Sequence, residues 1–255
     1  MEKKRILLKI GSNTLTKETD QISRGKIEDI GRQIEALKNE YEFIIVSSGA
    51  IAAAKQFVKL EHHGEEMNVK QALASIGQPH LMRIFQENFR ELGLFTSQCL
   101  LSYSDFENAD AKANIKNTIN VLVANNFIPI INENDTVATD EIQFGDNDKL
   151  AALTAALLKA DLLIIATNTY GIYTKESFKN GTPETIATVS GTQHLTKEIS
   201  SSKSSHGTGG MQSKIEAATI AQEAGIETWI VNGLKDNFIS DAIKDLSKHT
   251  KIIVR

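Results

Sequence analysis

Phe43-Ile44-Ile45-Val46-Ser47-Ser48-Gly49-Ala50-Ile51 runs from an apolar stretch through a glycine turn into the opening of a helical segment. Its apolar part is continuous rather than alternating, which is how a parallel strand buried on both faces reads. Outward from it, similar runs recur at Arg5 to Leu8, Thr96 to Leu101, Phe127 to Ile131, Leu162 to Ala166, Thr228 to Val231 and Lys251 to Val254. Polar or glycine-rich residues and then helical periodicity follow these runs along the chain, the signature of stacked βα units. The expected architecture is an α/β layered domain on a mainly parallel sheet. Such sheets bind ligands in the crevice at the carboxyl ends of their strands.

The segments between the runs support helices. Ile27, Ile30, Ile34 and Leu37 recur at helical spacing and form one apolar stripe. The stretch from Lys149 to Lys159 is rich in Ala and Leu, with Asp148 placed to cap its first turn. A further helix is expected from near Met211, with Ile215, Ala218 and Ala221 or Gln222 on one side and Gly209-Gly210 marking its start. From Lys175 to His206 the pattern breaks into a Gly-, Pro- and Ser-containing excursion, either a surface insertion or a lid over a substrate.

Composition narrows the function classes. The 255 residues, 41% apolar and 24% charged, can bury a sizeable core as one large domain or two modest ones. A formal net charge of −4 offers no positive field for a polyanion, so nucleic acid is not expected as a partner. The single cysteine, Cys99, is expected in the core and excludes paired-cysteine metal and redox sites. At the amino terminus only Ile6, Leu7 and Leu8 separate Arg5 from Lys9, too short for a signal peptide. No run reaches the ~18 apolar residues of a bilayer-crossing helix, so a cytoplasmic location without a membrane partner is expected.

Three glycine loops follow strands or open helices, where free backbone N–H groups can hold an anion. Lys9-Ile10-Gly11-Ser12 ends the first strand and would project a cation into the crevice. Ser47-Ser48-Gly49-Ala50-Ile51 suits a phosphate, a substrate carboxylate, or simply the strand-to-helix turn. Gly207-Thr208-Gly209-Gly210-Met211-Gln212-Ser213-Lys214 ends in a lysine one turn into a helix. Gln212 stands where a Walker A loop and a dinucleotide fingerprint need glycine, which argues against both. Between the second and third loops lie Ile131-Asn132-Glu133-Asn134-Asp135-Thr136 and Phe144-Gly145-Asp146-Asn147-Asp148. Their carboxylates can take a substrate ammonium, orient the lysines or hold magnesium through water, and turn capping accounts for some of the Asn and Asp. The histidines at 62, 63, 80, 194, 206 and 249 have no metal-ligand spacing; only His206, beside the third loop, stands near a motif.

In order and spacing these blocks resemble the amino acid kinases, and the I-N-E-N-D and G-D-N-D blocks resemble the glutamate 5-kinase branch of that family over nearly the whole chain. The resemblance implies a three-layer αβα sandwich around a mainly parallel sheet, and phosphorylation of the γ-carboxylate of L-glutamate by ATP with Mg2+. It implies Lys9, Lys214 and Asp148 as catalytic, and Ser48, Gly49, Ala50, Asn134, Asp135 and Asn147 as the glutamate site. For ATP it implies Lys9, Gly11, Ser12, Thr167, Asn168, Thr208, Gly209, Gly210, Met211, Gln212, Ser213 and Lys214, with no protein metal site. A homo-oligomer, dimer or tetramer, and feedback inhibition by proline are implied for the family. Two departures stand out. Thr167-Asn168 replaces the usual Thr-Asp, and the chain is expected to be one kinase domain over 1–255, its amino-terminal half binding glutamate and its carboxyl-terminal half ATP, without the RNA-binding-like PUA domain of many members. The competing expectations are a kinase of this fold for N-acetylglutamate, aspartate or a nucleotide monophosphate, and a non-catalytic metabolite sensor.

Overall fold

A computed structural model describes residues 3–60, 66–137, 147–174, 176–177, 180–192, 195 and 210–254. In chain order the described strands are β1 (Lys4–Ile10), β2 (Tyr41–Ser47), β3 (Phe95–Leu101), β4 (Phe127–Glu133), β5 (Leu162–Thr167), β6 (Thr188–Ser190), β7 (Glu227–Asn232) and β8 (Thr250–Ile253). The described helices are α1 (Ser12–Thr16), α2 (Arg24–Leu37), α3 (Ala50–Lys55), α4 (Glu66–Glu91), α5 (Ala109–Ala124), α6 (Asp148–Leu158), α7 (Met211–Glu223) and α8 (Phe238–Ile243). A 3-10 turn, Tyr103–Phe106, lies between β3 and α5.

All eight strands form one sheet in the order β3-β4-β2-β1-β5-β7-β8-β6. Every neighbouring pair is parallel except β7 with β8. Strand β1 is central, with β2 on one side and β5 on the other, so the chain reverses its direction of winding beside β1. That is where an open α/β sheet forms its ligand crevice.

Strand parity builds the three layers. Ile6, Leu8 and Ile10 of β1, with Phe43 and Ile45 of β2, pack with α2, α4 and α8 through Ile27, Ile30, Ile34, Phe85, Phe89 and Phe238. Leu7, Ile44, Val46, Leu163 and Ile165 have the opposite parity and pack with Ile119 of α5 and the alanine-rich faces of α6 and α7. The central parallel strands β1, β2, β4 and β5 are therefore apolar in consecutive positions because both of their faces are covered.

Three expectations change. The excursion from Lys175 to His206 is not wholly irregular: Thr188–Ser190 forms β6 against β8, and Leu195 is buried with Ile172 and Ile252. A strand this short, set among Gly and Pro, leaves no alternation long enough to detect. The remaining residues of that stretch lie mostly outside the described ones. Cys99 is only half-buried, because β3 is an edge strand and α5 covers it incompletely. Asp148 begins α6 but does not cap it; Asn147 precedes the helix without a side-chain cap bond, and the Asp148 carboxylate has other partners.

Candidate active site

Parity also decides where Lys9 points. It shares the orientation of Leu7, so the strand delivers it beneath α6 and α7 rather than into solvent. The small residues Ala151, Ala155, Ala217 and Ala221 let α6 and α7 pack side by side, which aligns their first turns at the carboxyl end of the sheet. Lys9 Nζ lies 2.6 Å from Asp148 Oδ1, and Lys214 Nζ donates to Asp148 Oδ2 at 2.9 Å. Ser213 Oγ lies 3.0 Å from Oδ2 and 2.8 Å from the Gly210 carbonyl oxygen. Asp148 is fully buried and both lysines nearly so. Burial pushes the Asp148 carboxyl up, but the Lys214 and Lys9 ammonium groups outweigh it and hold it well below the usual carboxylate range. Lys9 is thus a buried ion-pair partner, and not the freely projecting cation its strand-end position suggests.

Beside this cluster runs a chain of amides. Asn147 is buried; its Nδ2 donates to the Ser47 carbonyl at 2.8 Å and to Asn132 Oδ1 at 2.7 Å. The Ser48 N–H donates to the Ile10 carbonyl at 3.1 Å, tying the end of β2 to that of β1. Among the described residues, Ser48 Oγ and Asn147 Oδ1 are buried without a hydrogen-bond partner, as expected where a ligand or water completes a polar site. Gly49 takes φ +106°, a value that favours glycine, and Ala50 starts α3 directly after it. Asn134 donates its backbone N–H to the Leu101 carbonyl at 2.8 Å, carrying the chain across the end of β3. Two residues past β4, burial pushes the Asp135 carboxyl up to about 6.

On the other flank, Gly11 precedes α1 with φ −77°, and a Cβ there would sit 3.5 Å from Lys9 Nζ, an ordinary contact. No backbone strain requires glycine at this point; a side chain would instead stand beside the ammonium. Ser12 opens α1, and Thr167 ends β5 with its carbonyl accepting the Gly233 N–H at 2.8 Å. Asn168 Nδ2 donates to Glu18 Oε1 at 3.1 Å. The amide that replaces the family's aspartate thus faces a carboxylate, which an aspartate would repel. Gly210 leads into Met211, Gln212, Ser213 and Lys214 at the start of α7, with Gln212 Nε2 bonded to Glu216 Oε1 along its own helix at 3.0 Å. Thr208 and Gly209, like Gly207, Gly145 and Asp146, lie outside the described residues, as do His62, His63, His194 and His206.

The structure joins Lys9, Asp148, Ser213 and Lys214 in one cluster and Ser47, Asn132 and Asn147 in another. It also includes residues that sequence reasoning missed. Asn132, rather than Asn134, makes the side-chain link to Asn147, and Gln78 of α4 donates to Gln98 and accepts from Asn132. The parity of Asn132 with Ile128 and Ile130, which face α4, was the available signal. Among the described residues, no group of three or more His, Cys, Asp or Glu side chains is arranged to hold a metal ion. No helix among them is long and apolar enough to cross a membrane.

Comparison with known proteins agrees with this geometry. Residues 4–232 match the amino acid kinase family. A glutamate 5-kinase of Alkaliphilus metalliredigens is 39% identical over 97% of this chain and 94% of its own length. One from Neisseria meningitidis is 38% identical over 95% of this chain, which spans 66% of that relative's length, and one from Haemophilus influenzae is 37% identical over 99% of this chain and 69% of its own. Among solved structures, carbamate kinase from Giardia lamblia superposes with a TM-score of 0.70 at 14% identity, covering 99% of both chains. UMP kinase from Ureaplasma parvum gives 0.64 at 21% identity, covering 99% of this chain and 100% of that one, and at these identities both speak for the fold alone. With a buried lysine pair on one carboxylate at the carboxyl edge of a mainly parallel αβα sheet, and with matches of this extent, the chain belongs to the amino acid kinase family.

Proposed function

We propose that this protein transfers the γ-phosphoryl group of ATP to the γ-carboxylate of L-glutamate, giving γ-glutamyl phosphate and ADP, the opening step of proline synthesis. The observation that carries this reading is the buried Lys9–Asp148–Lys214 cluster at the crevice, and the 37–39% identity to glutamate 5-kinases supports the choice of acceptor.

A carboxylate with a pKa of ~4.3 is already ionised at neutral pH, so the nucleophile needs no general base. One of its oxygens attacks the γ-phosphorus, the bond to the β–γ bridging oxygen breaks, and that electron pair leaves with ADP. No proton changes hands. The obstacle is repulsion between two anions, so catalysis falls to positioning and charge neutralisation. Two ammonium groups on one carboxylate leave the cluster with a surplus positive charge in a desolvated setting, where it acts strongly on the transferring phosphoryl oxygens. In this scheme Lys9 and Lys214 contact those oxygens and Asp148 holds the lysines in place. ATP is taken as its magnesium complex: both Asp148 oxygens are committed to lysines, so the triphosphate carries the cation.

Glutamate lies chiefly against the loops of the amino-terminal half, Ser48, Gly49, Ala50, Asn134, Asp135 and Asn147, with Asp135 facing its α-ammonium. The nucleotide lies against Gly11, Ser12, Thr167, Asn168 and the stretch Thr208 to Lys214. The same reading includes a cytoplasmic homo-oligomer inhibited by L-proline; light scattering and assays with added proline check the last two.

ATP-dependent formation of γ-glutamyl hydroxamate in the presence of magnesium and hydroxylamine tests the activity. Hydroxamate with glutamate, none with N-acetylglutamate or aspartate, and no ADP release with UMP as acceptor are expected. Turnover of N-acetylglutamate but not glutamate overturns the substrate, and calorimetric glutamate binding without ATP turnover makes the protein a sensor.

A further inference from the structure

We infer that Gln78, a helix residue outside every motif of the sequence, is a positioning residue for glutamate, because it fixes the orientation of the Asn147 amide through Asn132. The inference rests on the glutamate site proposed above.

The contacts form one polarised chain. Gln78 Nε2 donates to Gln98 Oε1 at 3.2 Å, and Gln78 Oε1 accepts from Asn132 Nδ2 at 2.8 Å. Asn132 Oδ1 accepts from Asn147 Nδ2 at 2.7 Å and from the Glu133 N–H at 2.9 Å. Asn147 Nδ2 spends its other proton on the Ser47 carbonyl at 2.8 Å. Both backbone groups have fixed roles, since an N–H only donates and a C=O only accepts. A flip of Asn147 would set its oxygen against the Ser47 carbonyl, and a flip of Asn132 would set its amino group against the Glu133 N–H. The chain therefore has one satisfied direction, and it leaves Asn147 Oδ1 as a buried acceptor without a partner among the described residues. That is the atom available to an ammonium or amide-type donor on a ligand.

Gln78 reaches the chain because of its neighbour. A Cβ at Gly77 would lie 1.8 Å from the Ala50 carbonyl oxygen, so α4 rests directly on α3, whose first residue follows the Ser48-Gly49 turn. From that contact Gln78, itself buried, meets Asn132, a residue far away in the sequence. Without Oε1, Asn132 Nδ2 becomes a buried donor with no acceptor, and relieving it means turning away from Asn147.

The experiment compares Gln78→Met, similar in length but without an acceptor, with Gln78→Glu, which keeps one. Gln78→Met is expected to raise KM for glutamate about tenfold while KM for ATP and kcat stay close to wild type and the melting temperature falls by only a few degrees. Gln78→Glu is expected to recover most of the glutamate affinity. An unchanged glutamate KM in Gln78→Met overturns the inference, as does a joint loss in the two variants, with kcat and melting temperature lowered and both KM values raised, the mark of a purely structural residue. A second readout needs no substrate: hydrogen exchange of the Asn147 side-chain amide protons by NMR, assigned through their loss in Asn147→Ser. Protection lost in Gln78→Met and kept in Gln78→Glu supports the chain; equal protection in all three proteins overturns it. If the wild-type protein does not phosphorylate glutamate, the proposed function falls, and the exchange comparison still decides the role of Gln78.

Discussion

Asp148 serves two lysines, and that ratio separates two substitutions that remove one charge each. Lys214→Ala leaves Lys9 paired with Asp148, so folding is expected to survive while turnover falls about 10²- to 10³-fold with loss of a preorganised donor. Asp148→Asn strands two buried ammonium groups and is expected to lose turnover and about 3 kcal/mol of stability together. Hydroxamate assays beside urea melts distinguish them, and normal turnover in Lys214→Ala would sink the assigned role. The depressed Asp148 carboxyl contributes stability above the ordinary carboxylate range, and that contribution is lost only as pH falls through its lower folded-state value. Asp135 behaves oppositely. With its carboxyl raised to about 6, it sheds the charge that would face the substrate ammonium once pH drops below that value. KM for glutamate should rise below pH 6 while KM for ATP does not follow. Because the folded state binds this proton more tightly than the unfolded chain, burying the charged form costs stability near neutrality. Asp135→Asn should therefore bind glutamate poorly, with a pH-independent KM, yet be about 1 kcal/mol more stable at pH 7.

At the level of elements, α4 is the part that carries most unseen weight. Gly77→Ala would drive a methyl group into the Ala50 carbonyl, and the helix must retreat from α3 beneath it. A loss of about 1–3 kcal/mol and a higher glutamate KM are expected, measured by thermal melts and steady-state kinetics. Helix α2 carries a second device. Below its apolar stripe, Lys26, Asp29 and Gln33 are buried, with Lys26 Nζ donating to the Lys235 carbonyl at 2.8 Å and Gln33 Oε1 accepting the Ile239 N–H at 2.7 Å. Lys26→Met should leave the Asp29 carboxylate without its cation and cost about 3 kcal/mol in a urea titration. Neither device was legible in the sequence. Gly77 and Pro79 interrupt the helical pattern of α4, and polar residues at helical spacing in α2 read as a solvated face. The central strands were legible for the opposite reason, since burial on both faces writes an unbroken apolar run, whereas the three residues of β6 were too few to show one. The lysines, Asp148 and a pairing between them were legible from the motifs, but not the burial and close packing of those ion pairs. Those depend on the parity of Lys9 within β1 and on how closely two alanine faces approach.

Across the molecule, the site gathers side chains from positions 9, 132, 147 and 214, joined by one sheet. The pairing of β1 with β5, from Ile6 opposite Leu162 to Ile10 opposite Ala166, is where the early strands β1 to β4 meet the later ones. Every hydrogen bond of that ladder joins residues far apart in sequence, and the side chains along it are buried except that of Leu162, which is half-buried. The seam has a practical consequence. If the chain is divided between residues 137 and 147, Lys9 stays on one fragment while Asp148 and Lys214 go with the other, so neither piece alone can neutralise a transferring phosphoryl group. Fragments fused to two proteins that associate would regain hydroxamate synthesis only as β1 and β5 zip together. Phosphorylation would then report an encounter between the fused partners.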